Sequence, residues 1–194
     1  MGKYDFFSIL SRMKYINRWA LMRNTLTESL DSHTKEVAVI AHALAVIGNT
    51  RLGKSYSCDR AAVLALYHDA HEIFTGDMPT PVKYQNPDIL AAFKSVERAS
   101  NEKITSSLPE DLKNVYLPLL TGENNPELLP LIKAADKIAA LIKCIEERKA
   151  GNTEFLSAEK AIRNSSPYLN IREAEIFLEE FLPSYEDALD DLSL

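Results

Sequence analysis

Residues 32–48 read SHTKEVAVIAHALAVIG, and the spacing of apolar side chains in this stretch decides the fold class. Val37, Ile40, Leu44 and Ile47 recur every three or four positions, which puts them on one face of an α-helix, whereas a strand would alternate. Ser32 is expected to open the helix by accepting an early backbone N–H, and Gly48 to stop it. His33 falls on the same apolar face. The apolar run 37–47 is interrupted by His42 and is shorter than the roughly 18 residues a bilayer span requires, so membrane insertion is excluded.

Working outward, the same periodicity recurs. A helix is expected over about 4–16, with Phe6, Phe7, Leu10, Met13 and Ile16 as its apolar positions, followed by a connecting segment over 17–31. Another helix, over about 59–74, is opened by Asp59 and carries Ala61, Leu64, Ala65, His68 and Glu72 in line. Pro79 and Pro81 stand two residues apart just beyond it, so 76–81 reads as a fixed, extended loop rather than helix. Helices over about 87–107 and 109–120 precede a polar break at 122–126. A long helix over about 128–149 follows, ending at Gly151, with Ile132, Ala135, Asp136, Ala139 and Ile142 along one stripe. Helical stretches over about 153–164 and 171–192 complete the chain. With six glycines, no internal repeat and no long linker, residues 1–194 read as a single-domain, all-α helical bundle.

Composition narrows the function. At 46% hydrophobic and 26% charged the chain is a folding one, long enough to bury roughly 70% of its unfolded surface, so a metal would serve chemistry rather than hold the core. Acidic residues outnumber basic ones by 28 to 22, a net charge of -6 that argues against a protein built to grip polymeric nucleic acid but leaves a small phosphorylated ligand open. Cys58 and Cys144 form no CxxC pair, and no signal peptide is evident, which fits a reducing cytoplasm.

The informative residues break the apolar pattern. His33, His68 and Asp136 each sit on a core-facing stripe of a different helix, where an unpartnered polar group costs a few kcal/mol. Taken singly, the histidines could bond to backbone carbonyls and Asp136 to a nearby Lys or Arg. Taken together with Asp69, they make two imidazoles and two carboxylates, a nitrogen and oxygen donor set suited to one divalent transition metal with coordination positions left open. Hydrolysis is then the natural chemistry. Glu72 lies one turn beyond His68, either as a proton carrier reaching that site or as a solvated residue at a helix end. His42 and His71 lie off the stripe and read as supports behind the ligand residues or as structural. The string His68-Asp69-Ala70-His71-Glu72 matches neither H-E-x-x-H nor H-x-x-E-H, and no G-x-S-x-G, P-loop or G-x-G-x-x-G occurs.

The order His33, His68-Asp69, Asp136 resembles the H…HD…D signature of the HD-domain phosphohydrolases. Further strings extend the likeness over almost the whole chain: Asn17-Arg18-Trp19, Leu21-Met22-Arg23-Asn24, Thr75-Gly76-Asp77, Pro79-Thr80-Pro81-Val82-Lys83-Tyr84 and Gly151-Asn152 with Glu154-Phe155. With these the sequence is similar to the bacterial HD-type 5'-deoxynucleotidases. The resemblance implies an HD-type bundle and hydrolysis of deoxynucleoside 5'-monophosphates to deoxynucleoside and phosphate. It implies one cation (cobalt, manganese, zinc or iron) on His33, His68, Asp69 and Asp136, with Glu72 as general acid/base and Arg18 as phosphate contact and catalytic charge. Trp19 and the loop Asp77, Met78, Pro79 and Thr80 are implied to meet the sugar, with Asp69 and Asp136 also facing substrate, and the chain to be a cytoplasmic homodimer. Arg18 offers a fork of donors to phosphate, whereas Asp77 would repel it, so the two are expected at different ends of the ligand. Two other readings remain: action on another small phosphate ester, separated by the 77–81 loop, and nucleotide binding without turnover.

Overall fold

The computed structural model describes residues 3–83, 85–164 and 170–191; among them there is no β-strand, and an isolated antiparallel bridge joins Asn17 to Ser29. The helices are α1 (Phe6–Leu10), α2 (Leu30–Arg51), α3 (Cys58–Tyr67), α4 (Glu72–Thr75), α5 (Thr80–Lys83), α6 (Pro87–Ser106), α7 (Glu110–Thr121), α8 (Leu129–Lys149), α9 (Leu156–Arg163) and α10 (Arg172–Glu180). The all-α expectation holds. No helix among the described residues is long and apolar enough to cross a membrane.

α2 is the central element and packs mainly against α3 and α8. Its stripe Val37, Ile40, Leu44 and Ile47 is buried, as are Leu64 of α3 and Ile138, Leu141 and Ile142 of α8. Each such side chain contributes about 1.5–3 kcal/mol of burial. His33 is fully buried on the same face of α2.

Several boundaries differ from the sequence expectations, each for a physical reason. α2 begins at Leu30, not after Ser32, because Leu30 is fully buried and its N–H is given to the Ile16 carbonyl at 2.8 Å. Ser32 is therefore inside the first turn, its hydroxyl bonded to the Ser29 carbonyl. Gly48 does not stop α2 either, since the helix runs on to Arg51. A Cβ at Gly48 would meet the Tyr56 ring at 2.7 Å and Glu173 Oε1 at 3.0 Å, so the glycine makes room for a packed neighbour.

The expected helix over 59–74 is broken. Ser57 precedes its first residue and Asp59 lies inside the first turn, where a carboxylate suits the helix dipole. α3 ends at Tyr67, and residues 68–71 wind more tightly: Ala70 N bonds Tyr67 O and Glu72 N bonds Asp69 O, both at 3.0 Å and three residues apart. His68 and Asp69 thus stand on a turn past the helix. The loop expected over 76–81 holds only to Pro79, because Pro81 falls in the first turn of α5, where a missing N–H costs nothing.

The ends also depart. The first helix is α-helical to Leu10 and 3-10 over Ser11–Tyr15, and the stretch from 153 opens with a 3-10 turn, Thr153–Phe155. α10 ends at Glu180 rather than near 192, since Pro183 disfavours helix at the residue before it, and short 3-10 turns follow. Leu192 and Tyr84 lie outside the described residues.

Gly48→Ala should lower stability in urea by up to about 2 kcal/mol, because overpacking against Tyr56 (about 1–3 kcal/mol) outweighs the helix-propensity gain of about 1 kcal/mol. The Tyr56 ring has little freedom to give, its hydroxyl donating to Glu173 and its backbone bonded to Asn49. An unchanged or raised urea midpoint would refute this account of Gly48.

Candidate active site

α2 carries His33 in its first turn, α8 carries Asp136 at mid-length, and the 68–71 turn carries His68 and Asp69. Ligand atoms of these four residues lie within 4.8 Å of one another. His33 Nε2 is 3.2 Å from Asp136 Oδ1 and 3.9 Å from Asp69 Oδ2. His68 Nε2 is 3.0 Å from Asp69 Oδ2. The two carboxylates keep side-chain exposures of 17% and 25%, so the cluster is open to a ligand on their side while His33 seals the other.

Whether the donors fit a cation is answered by the hydrogen bonds they make. His68 Nδ1 lies 2.6 Å from the Ala65 carbonyl, which can only accept, so Nδ1 carries the proton. Nε2 is then the ring's lone-pair nitrogen when the ring is neutral, and it is buried without a hydrogen-bond partner. Such an orphaned nitrogen beside a carboxylate is what a metal ligand requires. Burial and the Arg18 charge would depress His33, but the hydrogen bond to Asp136 and the nearby Glu28 carboxylate lift its pKa to about 9. Burial opposes the ionised form of Asp69, yet His68 holds it well below the usual carboxylate range. Lys137, His33 and Arg18 do the same for Asp136 against its own burial.

Arg18 enters from the irregular segment 17–29. Its Nε is 3.3 Å from Glu28 Oε2, while Nη1 and Nη2 approach Asp69, Asp77 and Asp136 only to 3.7, 3.9 and 4.0 Å. Those last distances exceed hydrogen-bond length. Arg18 and Asp77 lie side by side, with Nη1 3.9 Å from Asp77 Oδ1. Asp77 Oδ2 instead accepts the backbone N–H of Trp19 at 3.1 Å. Trp19 has φ 56, a left-handed conformation that costs a non-glycine residue roughly 1–3 kcal/mol and persists only where the surroundings impose it. Its indole N–H donates to Glu28 Oε2 at 2.8 Å, and its ring lies 5.3 Å from that of Phe155. The half-buried ring is fixed at the rim of the cluster. Met78 and Pro79 are half-buried on the loop after α4, and the side chain of Thr80 lies outside the described part.

Glu72, the first residue of α4, is buried, and its Oε2 has no hydrogen-bond partner. Burial, with Asp69 and Asp77 nearby, pushes its pKa up to about 9. It is not a solvated helix end. His71 is buried, 3.5 Å from Glu97, which also accepts Lys83 at 2.6 Å. His42 is half-exposed on the outer side of α2, 4.0 Å from Asp59.

Two residues escaped the sequence reading. Glu28 has no periodic context to mark it, yet it touches His33, Arg18 and Trp19. Glu147 looks like half of an ordinary i,i+4 pair with Lys143, but both are buried. Glu147 accepts the backbone N–H groups of Thr25 and Leu26, the Thr25 hydroxyl and the Asn152 amide, and Lys143 donates to the Leu26 carbonyl. Together they fasten the segment that carries Arg18 and Trp19 to α8. A buried charged pair would have been suspected only from its position on the inward stripe of α8.

Residues 5–185 match the family described as 5'-deoxynucleotidase YfbR-like. The chain belongs to this family. It is 43% identical over its full length to the 5'-deoxynucleotidase YfbR of Shigella boydii, covering 98% of that protein. It is likewise 43% identical, over 97% of this chain and 96% of the relative, to the 5'-deoxynucleotidase of Erwinia tasmaniensis. Among solved structures, an HD-domain phosphohydrolase from Listeria innocua superposes with a TM-score of 0.80 at 25% identity, covering 93% of this chain and 88% of that one. The cyanophage S-2L HD phosphohydrolase DatZ, bound to dA and one catalytic Zn2+ ion, superposes with a TM-score of 0.61 at 18% identity, covering 93% and 96%, a likeness of fold. The HD-type bundle is thereby the fold of this deoxynucleotidase family member, which is an enzyme of the hydrolase class.

Glu147→Ala should cost roughly 3–5 kcal/mol, as when one partner of a buried charged pair is removed. It should also free the 17–29 segment, so that trypsin cuts after the exposed Arg23 several-fold faster under native conditions while the helical circular dichroism is retained. Unchanged urea stability and cleavage rate would show that α8 does not hold the segment.

Proposed function

We propose that this enzyme hydrolyses deoxyribonucleoside 5'-monophosphates to deoxynucleoside and phosphate in a metal-dependent reaction, as a single domain over 1–194 acting as a cytoplasmic homodimer. The observation that carries the reading is the convergence of two imidazoles and two carboxylates beside a buried arginine. The names of the full-length relatives support it. His33, His68, Asp69 and Asp136 would hold one cation, and their mixed donors suit cobalt, manganese, zinc or iron alike. When bound there, such a cation supplies Lewis acidity toward a phosphoryl oxygen and toward water.

The chain's own residues do the rest. Arg18 directs Nη1 and Nη2, neither within hydrogen-bond length of a carboxylate, to phosphoryl oxygens on which charge builds in the transition state. Glu72, protonated at neutral pH, gives its proton to the leaving 5'-oxygen and takes one back from water. Asp69 and Asp136 border the space the phosphate must enter. Trp19 and the loop from Asp77 through Met78 and Pro79 to Thr80 form the wall along the sugar. An added 2'-hydroxyl against that wall loses its hydrogen bonds at about 1–3 kcal/mol, a discrimination of about 5- to 150-fold.

Phosphate release from a panel of deoxy- and ribonucleoside monophosphates with added metals tests the reading. The unmodified enzyme should favour dAMP over AMP by at least about 5-fold in kcat/KM. Trp19→Ala should shrink that ratio, and Arg18→Ala should weaken both substrates together because phosphate is common to them. Equal specificity constants for dAMP and AMP would leave a general phosphomonoesterase.

The roles at the cluster separate by metal content. Asp136→Ala should lose both the cation and phosphate release while staying helical. Glu72→Ala should keep the cation yet lose about 10²- to 10⁴-fold in rate. Undiminished metal in purified Asp136→Ala, or near-normal rate in Glu72→Ala, would remove that residue from its role.

A further inference from the structure

We propose that Glu28 is a positioning residue that sets the ring tautomer of His33 and, through the same carboxylate, aims Arg18; the inference rests on the metal reading above. The argument begins with backbone. Residues 16–18 and 28–30 pair side by side: Arg18 N donates to Glu28 O at 2.9 Å, Leu30 N donates to Ile16 O at 2.8 Å, and the Asn17–Ser29 bridge lies between. This pairing places Glu28 opposite Arg18 whatever their side chains do, and it places Glu28 two residues before α2, whose first turn carries His33.

The side chain then divides its two oxygens. Oε2 accepts the Trp19 indole N–H at 2.8 Å and the Arg18 Nε–H at 3.3 Å. Oε1 lies 3.4 Å from His33 Nδ1, an ion-pair contact that a shift of a few tenths of an ångström turns into a hydrogen bond. Nδ1 has no other partner among the described residues, and the ring is fully buried. A carboxylate can only accept, so Nδ1 must carry the proton. Nε2 also faces an acceptor, Asp136 Oδ1 at 3.2 Å, and shares a proton with it; were a cation to displace that proton, Glu28 would keep the other on Nδ1 and leave the lone pair on Nε2. A carboxylate behind a ligating imidazole fixes both ring orientation and tautomer, and removing such a partner typically costs 10- to 100-fold in metal affinity.

Glu28→Gln tests this because it keeps shape and removes one acceptor. Trp19 and Arg18 both donate toward Oε2, so the amide oxygen stays with them and the NH2 group turns to His33. A donor facing Nδ1 forces the proton onto Nε2 and blocks the lone pair. The expected result is Zn2+ affinity, measured with the metal alone by calorimetric titration, weakened about 10- to 100-fold. In the Zn2+-loaded unmodified protein, ¹⁵N spectra of the imidazoles should show His33 protonated at Nδ1 and bare at Nε2. That measurement needs no variant, so it decides the point even where Glu28→Gln fails to fold. A proton at Nε2 of the loaded protein, or unaltered Zn2+ affinity in folded Glu28→Gln, overturns the inference while the metal reading stands. Unmodified protein that takes up no Zn2+ overturns both.

Discussion

A fully buried imidazole among carboxylates is the constraint on which the rest of this molecule depends. His33 sits where an apolar residue would pack α2 against α8, and a polar ring there is tolerated only if its nitrogens are satisfied. Around it Glu28, Asp69, Asp77 and Asp136 face one guanidinium, Arg18, and one ammonium, Lys137, which is 3.3 Å from Asp136. Two negative charges are left over. Protons can meet part of that deficit, which is why His33 is driven up to about 9 by its acidic neighbours in spite of its burial. A divalent cation would meet it in full, displacing protons from its ligands. Glu72 is kept neutral chiefly by its burial, with Asp69 and Asp77 adding to the effect.

Concentrating this much charge demands a rigid frame, and the frame is not made by the residues that touch the site. The segment 17–29 has no helix of its own, so its order is borrowed. Lys143 and Glu147 lend it from α8 through backbone bonds to Thr25 and Leu26, while Asn152 holds the Arg23 carbonyl at 2.7 Å. Those contacts support the left-handed backbone of Trp19, whose strain is stored where the ligand is proposed to lie. Fixing Arg18 and Trp19 in advance spares the ordering cost at the moment of binding.

The parts of this design legible in the sequence are those written in helical periodicity. The α2 stripe from Val37 to Ile47 predicts its burial, and His33 and Asp136 stand out because they interrupt such stripes. What periodicity does not encode was missed. The break after Tyr67 is invisible because Ala61, Leu64, Ala65 and His68 keep helical spacing up to it, although the backbone bonds then close over three residues and put His68 and Asp69 on a tighter turn. Gly48 reads as a stop by residue preference, but a through-space neighbour, Tyr56, decides its role. Ser32 reads as a cap, yet the burial of Leu30 sets the helix start. Glu28 and Glu147 could not be found by pattern at all, since the partners that give them meaning are set by tertiary packing.

The same separation between frame and site appears on the opposite border. α6 contributes its buried positions late, at Ser100, Asn101, Ile104 and Thr105, so its earlier turns have little to do with holding the core. One of those turns presents Glu97, which grips Lys83 at the end of α5 and His71 in the turn between α3 and α4. Burial opposes the charge on Glu97, but the adjacent His71 and the hydrogen bond from Lys83 hold its pKa below the usual glutamate range, so it stays ionised at neutral pH. Because Lys83 closes the proline-bearing stretch that begins at Asp77, Glu97 ties that loop to the turn bearing His68 and Asp69. Asp77 in turn binds the Trp19 amide, whose own segment is fastened to α8. The proposed sugar wall is thus the meeting point of two irregular segments anchored on different long helices, and loosening either anchor should widen it. On the proposed function, selectivity for the deoxy sugar would be a property of α6 and α8 as much as of the residues along that wall.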